Sequence, residues 1–116
     1  MNIIIKTKNL ELTDSLKSYI NKRIDGLKKF VKELPEVFLE IEKETLHHKN
    51  GQIFRTEATA HLPKKSLVAE SKGDDLGKTI IAVRDELKRQ IREHKLKIIE
   101  KLRRVAKKSQ KDIRTL

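Results

Sequence analysis

The chain has 116 residues with no cysteine, 39% charged and only 3% aromatic residues, and a formal net charge of +11. That length suits one domain with a thin aliphatic core. The composition excludes disulfides, thiolate metal sites and a cysteine nucleophile, and the sequence has no apolar run of the roughly 18 residues a membrane span needs.

Asn2 to Lys8 is rich in β-branched residues and reads as a strand. Thr13 is placed to cap a helix, with Asp14 in the first turn beside the positive helix end. Leu16, Ile20, Ile24, Leu27 and Val31 recur at spacings of three and four, which predicts an amphipathic helix over 14–32, ended by Pro35. Val37, Leu39 and Ile41 alternate with Phe38, Glu40 and Glu42, the pattern of a half-buried strand. A turn at 47–51 leads to a second alternating run, Phe54 to Leu62. Pro63-Lys64-Lys65 turns the chain into a third, Ser66 to Lys72. These three strands form an antiparallel meander. The carboxylates of Glu40, Glu42 and Glu44 share its solvent side and are placed to deter edge pairing.

Gly73-Asp74-Asp75 stops the last strand and starts a second helix, with Asp74 as its expected cap. Leu76, Ile80, Val83, Leu87, Ile91, His94 and Ile98 form its apolar stripe. The helix is expected past Arg104, with fraying from Ser109. The order β-α-β-β-β-α gives an α+β fold, a four-stranded sheet with two helices on one face. Residues 1–106 make the domain and 107–116 a basic tail.

Charge is distributed unevenly. Leu76 to Leu116 carries 14 Lys/Arg against 5 Asp/Glu, net +9, whereas Met1 to Asp75 is net +2. On a helical wheel with Ile80 at zero, Arg84, Lys95, Lys88 and Arg92 fall at about 40° to 120°, with Arg89 further round near 180°. Glu86, Glu93 and Glu100 fall at about 200° to 240°. A solvated helix usually interleaves signs, so a one-signed flank points to a polyanionic ligand. The first helix repeats the pattern with Lys17, Lys28 and Lys32 on one flank, and Lys22 and Lys29 further out. With these flanks facing, two helices would bound a basic groove suited to RNA phosphates.

Catalysis and metal binding have little to support them. His47-His48, His61 and His94 have no second ligand at useful spacing, and the Asp74-Asp75 pair is explained by capping. A basic helix could lie on an anionic membrane, but no aromatic residue follows Phe54 and the apolar face is needed over the sheet. No cofactor, metal or small-molecule substrate is implied.

Three blocks carry a family resemblance: Asn9 to Lys17 followed by Tyr19; Arg55 to Pro63 running into Lys65 to Glu70; and Gly73 to Leu76 with Ile80 and Leu87 to Lys95. With the element order, they make residues 1–98 similar to the ribosome hibernation-promoting factors, also called ribosome-associated inhibitors. The resemblance implies a fold like that of double-stranded-RNA-binding domains. It also implies a cytoplasmic, non-enzymatic factor that binds the small ribosomal subunit and its rRNA. Such a factor occupies the channel for mRNA and tRNA and preserves idle ribosomes under stress or in stationary phase. By position, the implied RNA contacts are Lys22, Arg23, Lys28 and Lys29 in the first helix and Lys88, Arg89, Arg92 and Lys95 in the second; the wheel adds Arg84. The chain departs from the family pattern at Gly77, where members have Tyr, and at Glu86, where many have Lys. A general structured-RNA binder and a protein-interaction module are the alternatives.

Overall fold

The computed structural model describes residues 2–29, 36–45 and 51–114. The expected Pro35 stop and the turn bearing His47-His48 lie outside the described residues. In chain order the elements are β1 (Asn2–Lys8), α1 (Asp14–Ile24) with a 3-10 turn (Asp25–Lys29), β2 (Glu36–Thr45), β3 (Gln52–Leu62), β4 (Lys65–Gly73) and α2 (Leu76–Arg114). The sheet order is β1-β2-β3-β4. The meander β2-β3-β4 is antiparallel, as its short connections require. β1 pairs parallel with β2, so α1 is the crossover between them. The α+β architecture read from the sequence is the one observed.

Capping chemistry starts both helices. The Thr13 hydroxyl accepts from the Leu16 amide at 3.1 Å. At α2 the cap is Asp75, one residue later than expected, and its carboxylate accepts from the Lys78 amide at 3.2 Å. α1 is shorter than the apolar period suggests. After Ile24 the chain tightens into the 3-10 turn at Asp25-Gly26, where glycine is a poor helix former. The hairpin between β3 and β4 uses Pro63 and Lys64, with Lys64 at φ 68. Proline followed by a positive φ is the combination of a type II turn.

The core lies between the helices and one sheet face. Ile20, Ile24, Leu27, Ile80, Val83, Leu87 and Ile91 descend from the helices onto Val37, Leu39, Ile41, Ala58, Ala60, Leu67 and Ala69. The small alanines of β3 and β4 sit where α2 crosses them, so large side chains meet small ones. One buried polar pair ties the start of α2 to β3. Thr79 donates to the Leu76 carbonyl at 2.7 Å, so the 2.9 Å bond between Thr79 and Thr56 must use the Thr56 proton. Thr79→Val therefore strands a buried donor and should cost about 1–3 kcal/mol, and Thr56→Val less. Urea denaturation of both variants and the double checks this ordering; equal costs would contradict the assigned donor.

Two expectations change. β2 is an interior strand, so Glu40 and Glu42 guard no edge; they pair with Lys6 at 4.0 Å and Lys8 at 3.7 Å. The second change concerns α2, whose stripe is buried only through Ile91, while Ile98 is 46% exposed. The reason is length. The 39 residues of α2 extend about 58 Å. The 9 residues of β4 extend about 30 Å. Roughly half the helix must overhang, and the molecule measures 73 × 29 × 18 Å. The overhang runs to Arg114.

Candidate nucleic-acid interface

α1 and its 3-10 turn run beside α2, and an open groove lies between them. It is lined by Lys22, Arg23, Gly26, Leu27, Lys29, Arg84 and Lys88. Five of the nine cations singled out from sequence thus share one depression, and both helices contribute. Their placement follows from the core stripes. Ile20, Ile24 and Leu27 on one element and Ile80, Val83, Leu87 on the other point at the sheet, which leaves the flanking Lys and Arg to face each other across the seam.

The first-helix wheel is corrected in part. Lys17 lies with Asn2, Ile3, Asn21 and Asp25 on the side towards β1, not in the groove, and Lys22 borders both depressions. Lys29 enters the groove instead, because a 3-10 turn advances each side chain by about 120° rather than 100°. Lys28 bonds Asp25 at 2.8 Å and is not among the groove lining. Lys32 lies outside the described residues.

Two contacts orient the groove cations. The Arg23 guanidinium stacks over the Tyr19 ring, 5.2 Å from its centroid, an arrangement that holds a cation without neutralising it. A methyl at Gly77 would lie 3.2 Å from the Tyr19 hydroxyl, so the small residue at the start of α2 leaves room for this ring. Tyr19 fills the place above the first turn of α2. Arg84 is half-buried and bonds Asp85 through Nε at 3.1 Å and Nη2 at 2.9 Å. Asp85 thus sits on the basic flank, at about 140° of the wheel.

Arg89 differs from the rest. It faces the opposite flank and bonds Glu86 at 3.0 Å and Glu93 at 2.6 Å. The hydrogen bond from Arg89, with a second from Gln90, holds the Glu86 carboxyl down to about 2, and Glu86 in turn raises the Arg89 pKa. Gln90 also donates to the Val68 carbonyl at 2.9 Å, fastening α2 to edge strand β4. The geometry thus gives Arg89, Glu86 and Gln90 a structural task on the side away from the groove, and Glu86 does not place a negative charge in it. Arg92 and Lys95 are exposed further along the flank of Arg84 and Lys88.

The uncovered sheet face has a different character. Arg55 bridges Glu57 at 2.8 Å and Glu70 at 2.7 Å; hydrogen bonding to Glu70 raises the Arg55 pKa and lowers that of Glu70. His61 bonds the Ser66 hydroxyl at 3.1 Å. Among the described residues no three His, Asp or Glu side chains gather as metal ligands, and no helix is long and apolar enough to cross a membrane.

The model of the sigma 54 modulation protein / S30EA ribosomal protein family matches residues 3–99. The ribosome hibernation promotion factor of Staphylococcus aureus (strain COL) is 30% identical over 95 residues, 82% of this chain and 48% of that protein. The chain therefore spans about half the length of this curated relative. Among solved structures, a ribosomal subunit interface protein from Coxiella burnetii superposes with a TM-score of 0.72 at 18% identity, covering 83% of this chain and 99% of that one. The N-terminal domain of Thermus thermophilus Protein Y gives 0.63 at 24% identity, covering 81% and 99%. At these identities the two structures establish the fold.

Proposed function

The chain belongs to the sigma 54 modulation protein / S30EA ribosomal protein family, and from that premise we propose that it is a ribosome hibernation factor. It acts without catalysis, in the cytoplasm, by binding the small subunit and occupying the channel of mRNA and tRNA. One observation carries this reading: cations from both helices line a single groove between them. A row of Lys and Arg held by a folded scaffold neutralises phosphates along an RNA strand and releases their counterions. Arg23, held over the Tyr19 ring, and Arg84, bonded to Asp85 through Nε and Nη2, place guanidinium groups in the groove for contact with phosphate. The mechanism is occlusion, in which a rigid domain seated on rRNA excludes the ligands of the idle ribosome.

Co-sedimentation with purified small subunits at rising salt tests the proposal. Binding should be specific to that subunit and should resist competition by free duplex RNA. Displacement by free duplex at equal nucleotide concentration would instead favour a general structured-RNA binder. A finer test adds charge without removing any. A Cβ at Gly26 would meet nothing within 4 Å, so a side chain there extends into open groove. Gly26→Glu should weaken subunit binding about five- to tenfold. Gly26→Ala should keep it while raising stability by about 0.4–1 kcal/mol. Equal affinities for the two variants would place the RNA elsewhere.

A further inference from the structure

The groove uses the first half of α2, and the overhanging half has no role in it. Lys97, Lys101, Arg104 and Lys108 recur there at spacings of four, three and four, which places them in one row at about −60° to −120° on the wheel used above. Arg84, Lys88 and Lys95 occupy about 40° to 80°. A second basic row therefore begins on the other side of the apolar stripe where the helix leaves the sheet, while Arg92 and Arg103, at about 120° and 140°, carry the first flank onward.

All four side chains are exposed, and among the described residues none makes an ion pair. Lys101, Arg104 and Lys108 lie beyond the family-matched segment. Like charges at i,i+3 and i,i+4 destabilise a helix, and the apolar side chains Ile98, Leu102 and Val105 of the overhang are exposed rather than packed against the domain. A polyanion laid along the row would offset the repulsion.

We propose that the overhang of α2 is a second RNA-binding element, which grips a phosphate backbone other than the one in the groove. This deepens the functional reading above and rests on it for the identity of the RNA as ribosomal. Lys97 to Lys108 spans about 17 Å along the helix, enough for several phosphates. Because the two rows face opposite sides of the stripe, one strand cannot lie on both. Two weak attachments on one rigid helix then act as a bivalent clamp, in which the second binding event is intramolecular.

The test uses the full chain with Lys97→Gln, Lys101→Gln, Arg104→Gln and Lys108→Gln together. Glutamine preserves helix propensity, so the fold should hold, as circular dichroism would show. Two probes are used: a generic 20-base-pair duplex RNA and purified small subunits. The expected result is at least roughly tenfold weaker binding of both, with a salt slope smaller by about 3. Hydrogen exchange on the parent protein should show new protection over 97–108 when either RNA is bound. Unchanged affinity and slope would overturn the proposal. So would a result in which Leu102→Gln with Val105→Gln abolishes binding while the charge variant does not; the overhang would then dock on a protein surface. If the variant loses duplex binding but neither protein binds subunits, the ribosomal reading fails and the second RNA element stands.

Discussion

Arg84→Glu combined with Lys88→Glu should abolish small-subunit binding while leaving the fold intact. Both side chains line the groove from α2, and both lie on the flank of the core stripe rather than within it. A hydrogen bond to a charged group contributes about 1.5–3 kcal/mol, so losing two costs about 3–6 kcal/mol. That corresponds to a loss of two to four decades in affinity. Reversal adds repulsion from phosphate, so the upper part of the range is expected. Glu at position 84 would stand beside Asp85, which now accepts two bonds from Arg84, so a small loss of stability is expected as well. Co-sedimentation at several salt concentrations and a thermal melt separate the two effects. Lys6→Glu with Lys72→Glu makes the same change in charge on the sheet face and should alter binding less than threefold. Loss of binding in that control would show that net charge, not the groove, holds the RNA. Arg89 is left out of the reversal set because Glu86 and Glu93 already hold it on the other flank.

The second large effect is on stability. Leu87→Ala should cost about 3–5 kcal/mol, because Leu87 is fully buried where α2 crosses the sheet. The core is thin, and the sheet side of it is partly alanine, so little can collapse into the space left. A domain of this size holds on the order of 5–15 kcal/mol in total, so the variant should be close to unfolding at 37 °C. Leu102→Ala makes the same chemical change on the overhanging part of the same helix. Leu102 is 64% exposed, so the expected cost is under about 0.5 kcal/mol. Urea titration of the pair measures the contrast. Similar losses would mean that the overhang packs against protein in solution.

Local signals carried most of the fold. Thr13 caps as read, the alternation of Val37, Leu39 and Ile41 marks the buried face, and Pro63-Lys64 turns the hairpin, because each depends on neighbours in sequence. The expected cap at Asp74 was off by one residue, since two adjacent aspartates are equivalent until the helix start is fixed. The site was legible in composition and less so in aim. A wheel at constant pitch gives the azimuth of Arg84 and Lys88. It fails at Lys29, where the chain tightens, and it overlooks that Arg89 stands within reach of Glu86 and Glu93.

The element order, the burial stripes and the separation of charge by helix flank follow from the order of residues alone. These are periodic properties, and the periods of 2 and 3.6 are set by the backbone. Which cations meet is set by the packed fold, because the width of the seam between α1 and α2 depends on packing against the sheet. The packed fold also divides the stripe after Ile91, into a core before it and an exposed overhang beyond. A stripe records that one helix face is apolar, but the length of the sheet beneath decides how much of that face is covered.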